Sequence, residues 1–136
     1  MKVKSIYLNL PVRDLEKTRN FWTNLGFTFN EQFSDDKALC LVLNDGLIYS
    51  MLITHEYFST FTNRTIADGS TTQVLLSIEV DSKEQVDNLV RLALENGGTR
   101  YRKGEDNGWM YYDSFADLDG HQWEIIFMDI SQMPKQ

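Results

Sequence analysis

The residue with the clearest chemical potential is Glu124, a carboxylate that follows a predicted tight turn. Asp119 and Gly120 favour that turn, because glycine adopts a positive φ at no steric cost. The stretch from Gln122 to Met128 is rich in aromatic and β-branched residues, which predicts a strand. Its apolar face is formed by Trp123, Ile125 and Phe127. Glu124 lies on the opposite face, where it is either a solvated strand residue, a ligand-binding carboxylate or a general base.

The elements that precede this strand begin with a βαβββ pattern. The alternating stretch 5–10 predicts a strand, and Asp14 is a suitable N-cap for a helix that ends at Gly26. Segments 27–33, 38–43 and 47–53 are separated by turn residues and predict an antiparallel meander. A short aromatic helix is expected at 55–61.

The second half of the chain repeats this order. A strand is predicted at 73–80, and Ser82 with Gln85 three residues later forms a capping box for a helix that ends at Gly97. Strands are expected next in 99–102, in 109–115 and after the Asp-Gly turn. The repetition indicates an internal duplication within one structural domain. The predicted bounds are 1–62 for the first module, 63–72 for a linker, 73–130 for the second module and 131–136 for a tail.

Composition argues against several partners. The net charge of −7 and the pI near 4.7 disfavour nucleic acids and anionic membranes, because both require clustered cations. No apolar run approaches the roughly 20 residues that span a bilayer, and no apolar signal core precedes the first strand. The single cysteine, Cys40, cannot form an internal disulfide, so we expect a cytoplasmic protein with Cys40 buried as a small hydrophobic residue. Phosphate-loop, dinucleotide-binding, HExxH and CxxC motifs are absent from the sequence.

Two motifs give the chain a family resemblance. The first is Leu-Pro-Val-Arg-Asp-Leu at 10–15 with Phe-Trp-x-x-Leu-Gly-Phe at 21–27, and the second is Asp-Leu-Asp-Gly-His-x-Trp-Glu at 117–124. With them, the chain from about residue 3 to 129 resembles the vicinal-oxygen-chelate superfamily, which includes glyoxalase I, extradiol dioxygenases and bleomycin-resistance proteins. The resemblance implies an α+β fold in which two βαβββ modules form a cupped, mixed eight-stranded sheet. Its helices would lie outside, and small molecules would bind inside the cup.

The resemblance also implies where metal ligands would lie. The metalloenzymes of that superfamily place one ligand on the first and one on the last strand of each module, which here correspond to Tyr7, Met51, Leu75 and Glu124. Only Glu124 offers a donor suited to a divalent cation. His55 and His121 do not occupy these positions. We therefore expect no metal and no other cofactor, although a divalent metal stays open as part of an enzymatic alternative.

Strand alternation and the resemblance together give a candidate ligand-binding set on the inner face. Its members are Tyr7, Asn9, Tyr49, Met51, Leu75, Tyr111, Tyr112 and Glu124. The sequence does not fix which of the adjacent residues Tyr111 and Tyr112 points inward. Tyr7 and Asn9 are the expected hydrogen-bond donors to Glu124, since a buried carboxylate without a partner is costly.

Two classes of function fit this set. One is a protein that binds a small apolar or aromatic molecule in the cup without a metal. The alternative is a lyase, isomerase or dioxygenase, metal-independent or metal-dependent, that acts on a small metabolite with Glu124 as its catalytic residue. We also expect a homodimer, in which a partner covers the aromatic patch of Tyr57, Phe58 and Phe61.

Overall fold

The computed structural model describes residues 1–135, and the chain divides into two compact units. The first unit is Met1–Asp68 and the second begins at Gly69, within the segment predicted as a linker. Among the helices of residues 1–135, none has the length and apolar character needed to cross a membrane.

The first unit has the predicted βαβββ order. Its strands are β1 (Ile6–Val12), β2 (Thr28–Phe29), β3 (Ala38–Asn44) and β4 (Ile48–Thr54), and its helices are α1 (Leu15–Asn24) and α2 (His55–Phe58). The strands form one sheet in the order β1-β4-β3-β2. Strand β1 runs parallel to β4, whereas the other neighbours are antiparallel.

The second unit repeats the arrangement. Its strands are β5 (Leu76–Glu79), β6 (Glu105–Asp106), β7 (Met110–Ala116) and β8 (Gln122–Met128), and its helix is α3 (Lys83–Glu95). Their order in the sheet is β5-β8-β7-β6, with β5 parallel to β8. The predicted fold class of two βαβββ modules is therefore confirmed, and the strands of residues 1–135 form two four-stranded sheets.

Local capping explains where the long helices begin. The Asp14 carboxylate accepts a hydrogen bond from the Lys17 amide at 3.0 Å and starts α1. The Ser82 hydroxyl accepts one from the Gln85 amide at 3.1 Å, while the Gln85 side chain accepts from the Asp81 amide at 2.9 Å. These two hydrogen bonds form the predicted capping box, except that the Gln85 side chain accepts from the amide of Asp81 and not from that of the N-cap residue Ser82.

Each unit has its own buried core. In the first unit, Trp22 of α1 is 1% exposed, and Leu41 and Leu52 of the sheet are fully buried. In the second unit, Trp123 and Ile125 of β8 and Phe115 of β7 are fully buried. The predicted core face of the last strand is thus confirmed for Trp123 and Ile125, whereas Phe127 is half-buried. Burial of this apolar surface is the main favourable contribution to folding. Cys40 is also buried, and desolvation raises the pKa of its thiol.

Several predicted strands are shorter in the structure. Strand β2 ends at Phe29, because the Asn30 side chain accepts a hydrogen bond from the Gln32 amide and begins a 3-10 turn at Glu31–Phe33. The strand predicted at 73–80 is β5, which starts only at Leu76. The strand predicted at 99–102 is reduced to an isolated bridge between Thr99 and Ala116.

Candidate functional site

The turn that leads into β8 is organised by a buried aspartate. Asp117 is 8% exposed, and its Oδ1 accepts hydrogen bonds from the amides of Asp119 and His121, each at 3.0 Å. Its Oδ2 accepts a third from the indole Nε1 of Trp123, also at 3.0 Å. Desolvation raises the pKa of Asp117, although the charge of His121 and these hydrogen bonds act in the opposite direction. Gly120 closes the turn at a φ of 83°. Asp117 therefore fixes the start of the strand that carries Glu124.

Glu124 lies in a row of hydroxyl side chains across the second sheet. Its register partners are Ser77 of β5 on one side and Ser114 of β7 on the other. The Ser77 hydroxyl donates a hydrogen bond to Glu124 Oε1 at 2.5 Å. The sequence predicts Tyr7 and Asn9 as the donors to Glu124, whereas the donor in the structure is Ser77. The reason is parallel pairing, which places Ser77 directly beside Glu124 on the same face.

Two polar residues outside the predicted set lie near Glu124. Gln122 is two positions before Glu124 on β8, so both side chains point to one side of the sheet. Tyr101 lies close enough to Ser114 and Glu124 for both to act on its pKa, and Ser114 is the register partner of Glu124 on β7. The pKa of Tyr101 is raised by desolvation and by the charge of Glu124, against the influence of Ser114 and Arg102. The sequence predicted a strand at 99–102 but not which residues would lie beside Tyr101, because that depends on contacts between distant segments.

The register also separates the two adjacent tyrosines of β7. Tyr112 pairs with Ile126 and so shares the face of Glu124, whereas Tyr111 pairs with Phe127 and faces the other way. The Tyr111 hydroxyl donates a hydrogen bond of 2.5 Å to Asp87 on α3. This bond, together with burial and nearby carboxylates, raises the pKa of Tyr111 to about 12. Of the two candidates, Tyr111 is a contact between helix and sheet and does not belong to the Glu124 face.

The predicted inner-face residues of the first unit also share one face. Tyr7 pairs with Tyr49, and Asn9 pairs with Met51, in the parallel register of β1 and β4. The two tyrosine rings stack with centroids 4.8 Å apart and planes inclined by 12°. Tyr7 is 47% exposed, whereas Tyr49 is buried, with its hydroxyl accepting a hydrogen bond from the Gly46 amide at 2.6 Å. This face offers an accessible aromatic surface.

The four positions that the family uses for metal do not fit a metal ion in this chain. Met51 and Leu75 have no oxygen or nitrogen donor in their side chains, and Leu75 precedes β5 by one residue with 52% of its surface exposed. One oxygen of Glu124 is already engaged by Ser77. Within residues 1–135 there is no group of three or more His, Cys, Asp and Glu side chains that could hold a metal ion.

The two βαβββ units define a fold class, and comparison with known proteins identifies the family. Residues 4–125 match the model of the Glyoxalase/Bleomycin resistance protein/Dioxygenase superfamily, so the chain belongs to that superfamily. The resemblance inferred from the two sequence motifs is thereby confirmed. A search of curated proteins gave no significant match.

Solved structures agree with this assignment. A hypothetical protein from S. aureus is 29% identical and has a TM-score of 0.78, with 93% of this chain and 95% of that chain covered. A glyoxalase/bleomycin resistance protein/dioxygenase family enzyme from Burkholderia phytofirmans is 23% identical, with a TM-score of 0.74 over 90% of this chain and 97% of its own. The bleomycin resistance determinant encoded on the transposon Tn5 is 20% identical, with a TM-score of 0.65 over 93% and 99%. The last two similarities concern the fold.

Proposed function

We propose that the protein binds a small molecule with an apolar or aromatic body, and that Glu124 accepts a hydrogen bond from that molecule. The observation that carries the proposal is the position of Glu124, half-buried on a sheet face beside the hydroxyls of Ser77 and Ser114. The hydrogen bond that Glu124 accepts within residues 1–135 is the one from Ser77. A carboxylate has about four acceptor positions, so Glu124 retains capacity for a ligand donor.

Apolar and aromatic side chains supply the rest of the recognition. Tyr112 and Ile126 lie next along the face of Glu124, paired across β7 and β8. Within the first unit, Tyr7 and Tyr49 form a stacked aromatic surface of their own. Small-molecule sites are mostly apolar with a few polar groups that fix orientation, and this composition matches that description. A neutral or cationic ligand is favoured, because a carboxylate repels anions.

The contact between Ser77 and Glu124 also favours a second function, in which Glu124 acts as a general base. A carboxylate that accepts a short hydrogen bond from a hydroxyl can also accept a proton from a substrate group that takes the place of that hydroxyl. In that case the protein is a lyase, isomerase or dioxygenase that acts on a small metabolite. Binding without chemistry remains the first proposal, since within residues 1–135 no metal-binding cluster accompanies the carboxylate.

The same donor set supports the proposal that the protein works without a resident metal. Tyr7, Met51 and Leu75 cannot complete a coordination shell around Glu124. Elemental analysis of protein purified without chelator is expected to give well below one equivalent of Zn, Ni, Fe or Mn per chain. A stoichiometric metal that is lost in the Glu124→Gln variant would refute the metal-free proposal and favour the enzymatic alternative.

The main test is a thermal-shift screen of small aromatic amines, amides, alcohols and acids. A ligand at 100 times its Kd adds about 2.7 kcal/mol to the free energy of unfolding, which shifts the melting temperature measurably. We expect the hits to lose most of their effect on Glu124→Gln, which keeps the side-chain shape but removes the charge. The Glu84→Gln variant is the control, because it removes the same charge from the exposed first turn of α3. Hits that stabilise all three proteins equally would refute the role of Glu124.

The same three proteins separate binding from catalysis. Each compound that stabilises the wild type is incubated with it and followed by NMR for chemical change. Turnover that disappears in Glu124→Gln but not in Glu84→Gln would establish the enzymatic alternative. Stabilisation without any change in the compound would establish the binding function.

A further inference from the structure

Two buried polar atoms in the second unit make no hydrogen bond. Within residues 1–135, the hydroxyl of Tyr101 and the side-chain oxygen of Gln122 are both buried and without a partner. Most buried polar atoms in proteins are paired, so an orphaned atom calls for an explanation in terms of an absent partner. Here there are two of them. Both lie near Glu124, the carboxylate of the proposed function: Gln122 is two positions before it on β8, and Tyr101 is close enough for the charge of Glu124 to raise its pKa.

Ser114 lies close enough to the Tyr101 hydroxyl to act on its pKa, but no atom of residues 1–135 has the geometry of a hydrogen bond to that hydroxyl. The Ser114 hydroxyl donates its single proton to the Arg102 carbonyl at 2.8 Å. Burial and the charge of Glu124 hold the phenol in its protonated form at neutral pH, since both raise its pKa. The Tyr101 hydroxyl is therefore a hydrogen-bond donor that has no acceptor within residues 1–135. The cation nearby is Arg102, whose side chain is 65% exposed and lies 3.9 Å from Glu105.

Gln122 and Glu124 offer the opposite chemistry. Two residues along a strand span about 7 Å, so their side chains stand next to each other on the same face. The buried oxygen of Gln122 requires a donor, and Glu124 has acceptor capacity beyond its bond with Ser77. The site thus presents one donor, the Tyr101 hydroxyl, beside two acceptors.

We propose that Tyr101 and Gln122 select ligands whose polar group is a neutral carboxamide. The carbonyl oxygen of such a group accepts from the Tyr101 hydroxyl, and its two N–H groups donate to Gln122 and Glu124. A primary amine lacks the acceptor, and a carboxylate lacks the donors and is repelled by Glu124. This inference rests on the proposed function, because it names the polar group of the molecule that binds beside Glu124.

Three matched probes test the inference: 2-phenylacetamide, 2-phenylethylamine and phenylacetate. They share an aromatic ring and nearly the same size, and they differ in the polar group. Binding to the wild-type protein is measured by NMR titration up to about 10 mM, since such small fragments bind weakly. We expect the amide to bind at least tenfold more tightly than the amine, and the carboxylate not to bind.

The Tyr101→Phe and Gln122→Met variants test the two named residues. Each is expected to raise the Kd of 2-phenylacetamide about tenfold, because each leaves one polar atom of the amide unpaired. The Tyr57→Phe variant is the control, since it removes the same hydroxyl from α2 of the first unit. The melting temperature of Tyr101→Phe should equal or exceed that of the wild type, because the removed hydroxyl has no hydrogen-bond partner among residues 1–135.

The outcomes separate this inference from the proposed function. If the amine binds best, or if Tyr101→Phe lowers the melting temperature and leaves the Kd of the amide unchanged, the two residues are structural and the inference is wrong. The proposed function then stands, because an aromatic ligand still binds. If none of the three probes binds and no compound in the wider screen binds through Glu124, the proposed function fails as well.

Discussion

Replacement of Asp117 tests whether one buried carboxylate holds the strand that carries the candidate site. Its two oxygens accept hydrogen bonds from Asp119, His121 and Trp123, all at 3.0 Å. The Asp117→Ala variant removes the acceptor of all three hydrogen bonds. The Asp117→Asn variant keeps the shape but replaces one oxygen by an amide nitrogen, which cannot accept.

The magnitude follows from the three hydrogen bonds that the alanine substitution removes. A buried hydrogen bond contributes about 1–1.5 kcal/mol to stability, so three of them contribute about 3–5 kcal/mol. Part of this loss in the free energy of unfolding is offset, because the substitution also removes a buried carboxylate whose charged form is disfavoured by burial. We therefore expect Asp117→Ala to lower the free energy of unfolding by about 3 kcal/mol. Asp117→Asn should lower it by about 1–2 kcal/mol, because the better of its two amide orientations still forfeits one hydrogen bond.

The assay is urea unfolding followed by tryptophan fluorescence and circular dichroism. With 136 residues, a loss of 3 kcal/mol corresponds to a fall of about 10 °C in the melting temperature. The control is Asp81→Asn, which makes the same change at an exposed position before α3 and should stay within about 0.5 kcal/mol of the wild type. If Asp117→Ala lowers the free energy of unfolding by less than about 1 kcal/mol, Asp117 does not organise the turn and the reasoning fails.

Three further predictions concern other parts of the chain. Tyr111→Phe should lower the free energy of unfolding by about 1 kcal/mol at pH 8, because it deletes the exposed hydrogen bond from the Tyr111 hydroxyl to Asp87. This difference from the wild type, measured by urea unfolding at each pH, should shrink between pH 10 and about 12 as the phenol of the folded protein loses its proton. An unchanged difference above pH 12 would contradict this. Gly104→Ala should lower the melting temperature by about 10 °C or more, since the added Cβ would overlap the backbone oxygen of Tyr112. An unchanged melting temperature would show that the backbones at Gly104 and Tyr112 do not approach so closely. We propose that the protein is a homodimer, with a sedimentation mass near twice 15.8 kDa. The Phe61→Ser variant should dissociate, because Phe61 is 62% exposed beside the ring of Tyr57 and belongs to the aromatic patch that a partner would cover. A mass of 15.8 kDa for the wild type would refute the proposal.

The sequence determined the elements of this protein because their signals are local. Helix starts follow from Asp14 and Ser82, whose side chains bond to amides only three residues away. The face of β8 that lies in the core follows from alternation alone, since successive side chains of a strand point to opposite sides. Glu124 could be singled out for the same reason, as the carboxylate opposite a wholly apolar face.

The composition of the candidate site was decided by contacts between distant segments. Ser77 donates to Glu124 across 47 positions of sequence, and no local pattern announces which residue of a parallel neighbour lies alongside. The choice between Tyr111 and Tyr112 likewise depends on the register of β7 against β8. A shift of one residue in that register would exchange the two faces.

Tyr101 and Gln122 show most clearly the difference between what the local sequence predicts and what tertiary contacts decide. Each is an ordinary polar residue on a predicted strand, and in the structure the strand of Tyr101 is reduced to the isolated bridge at Thr99. Their significance arises only when folding buries the hydroxyl and the amide oxygen without giving either a partner. Burial is a property of the assembled sheet and of what packs against it. Local sequence therefore determined where the long helices begin and which face of β8 lies in the core, while tertiary structure alone determined which polar atoms were left without a partner within residues 1–135.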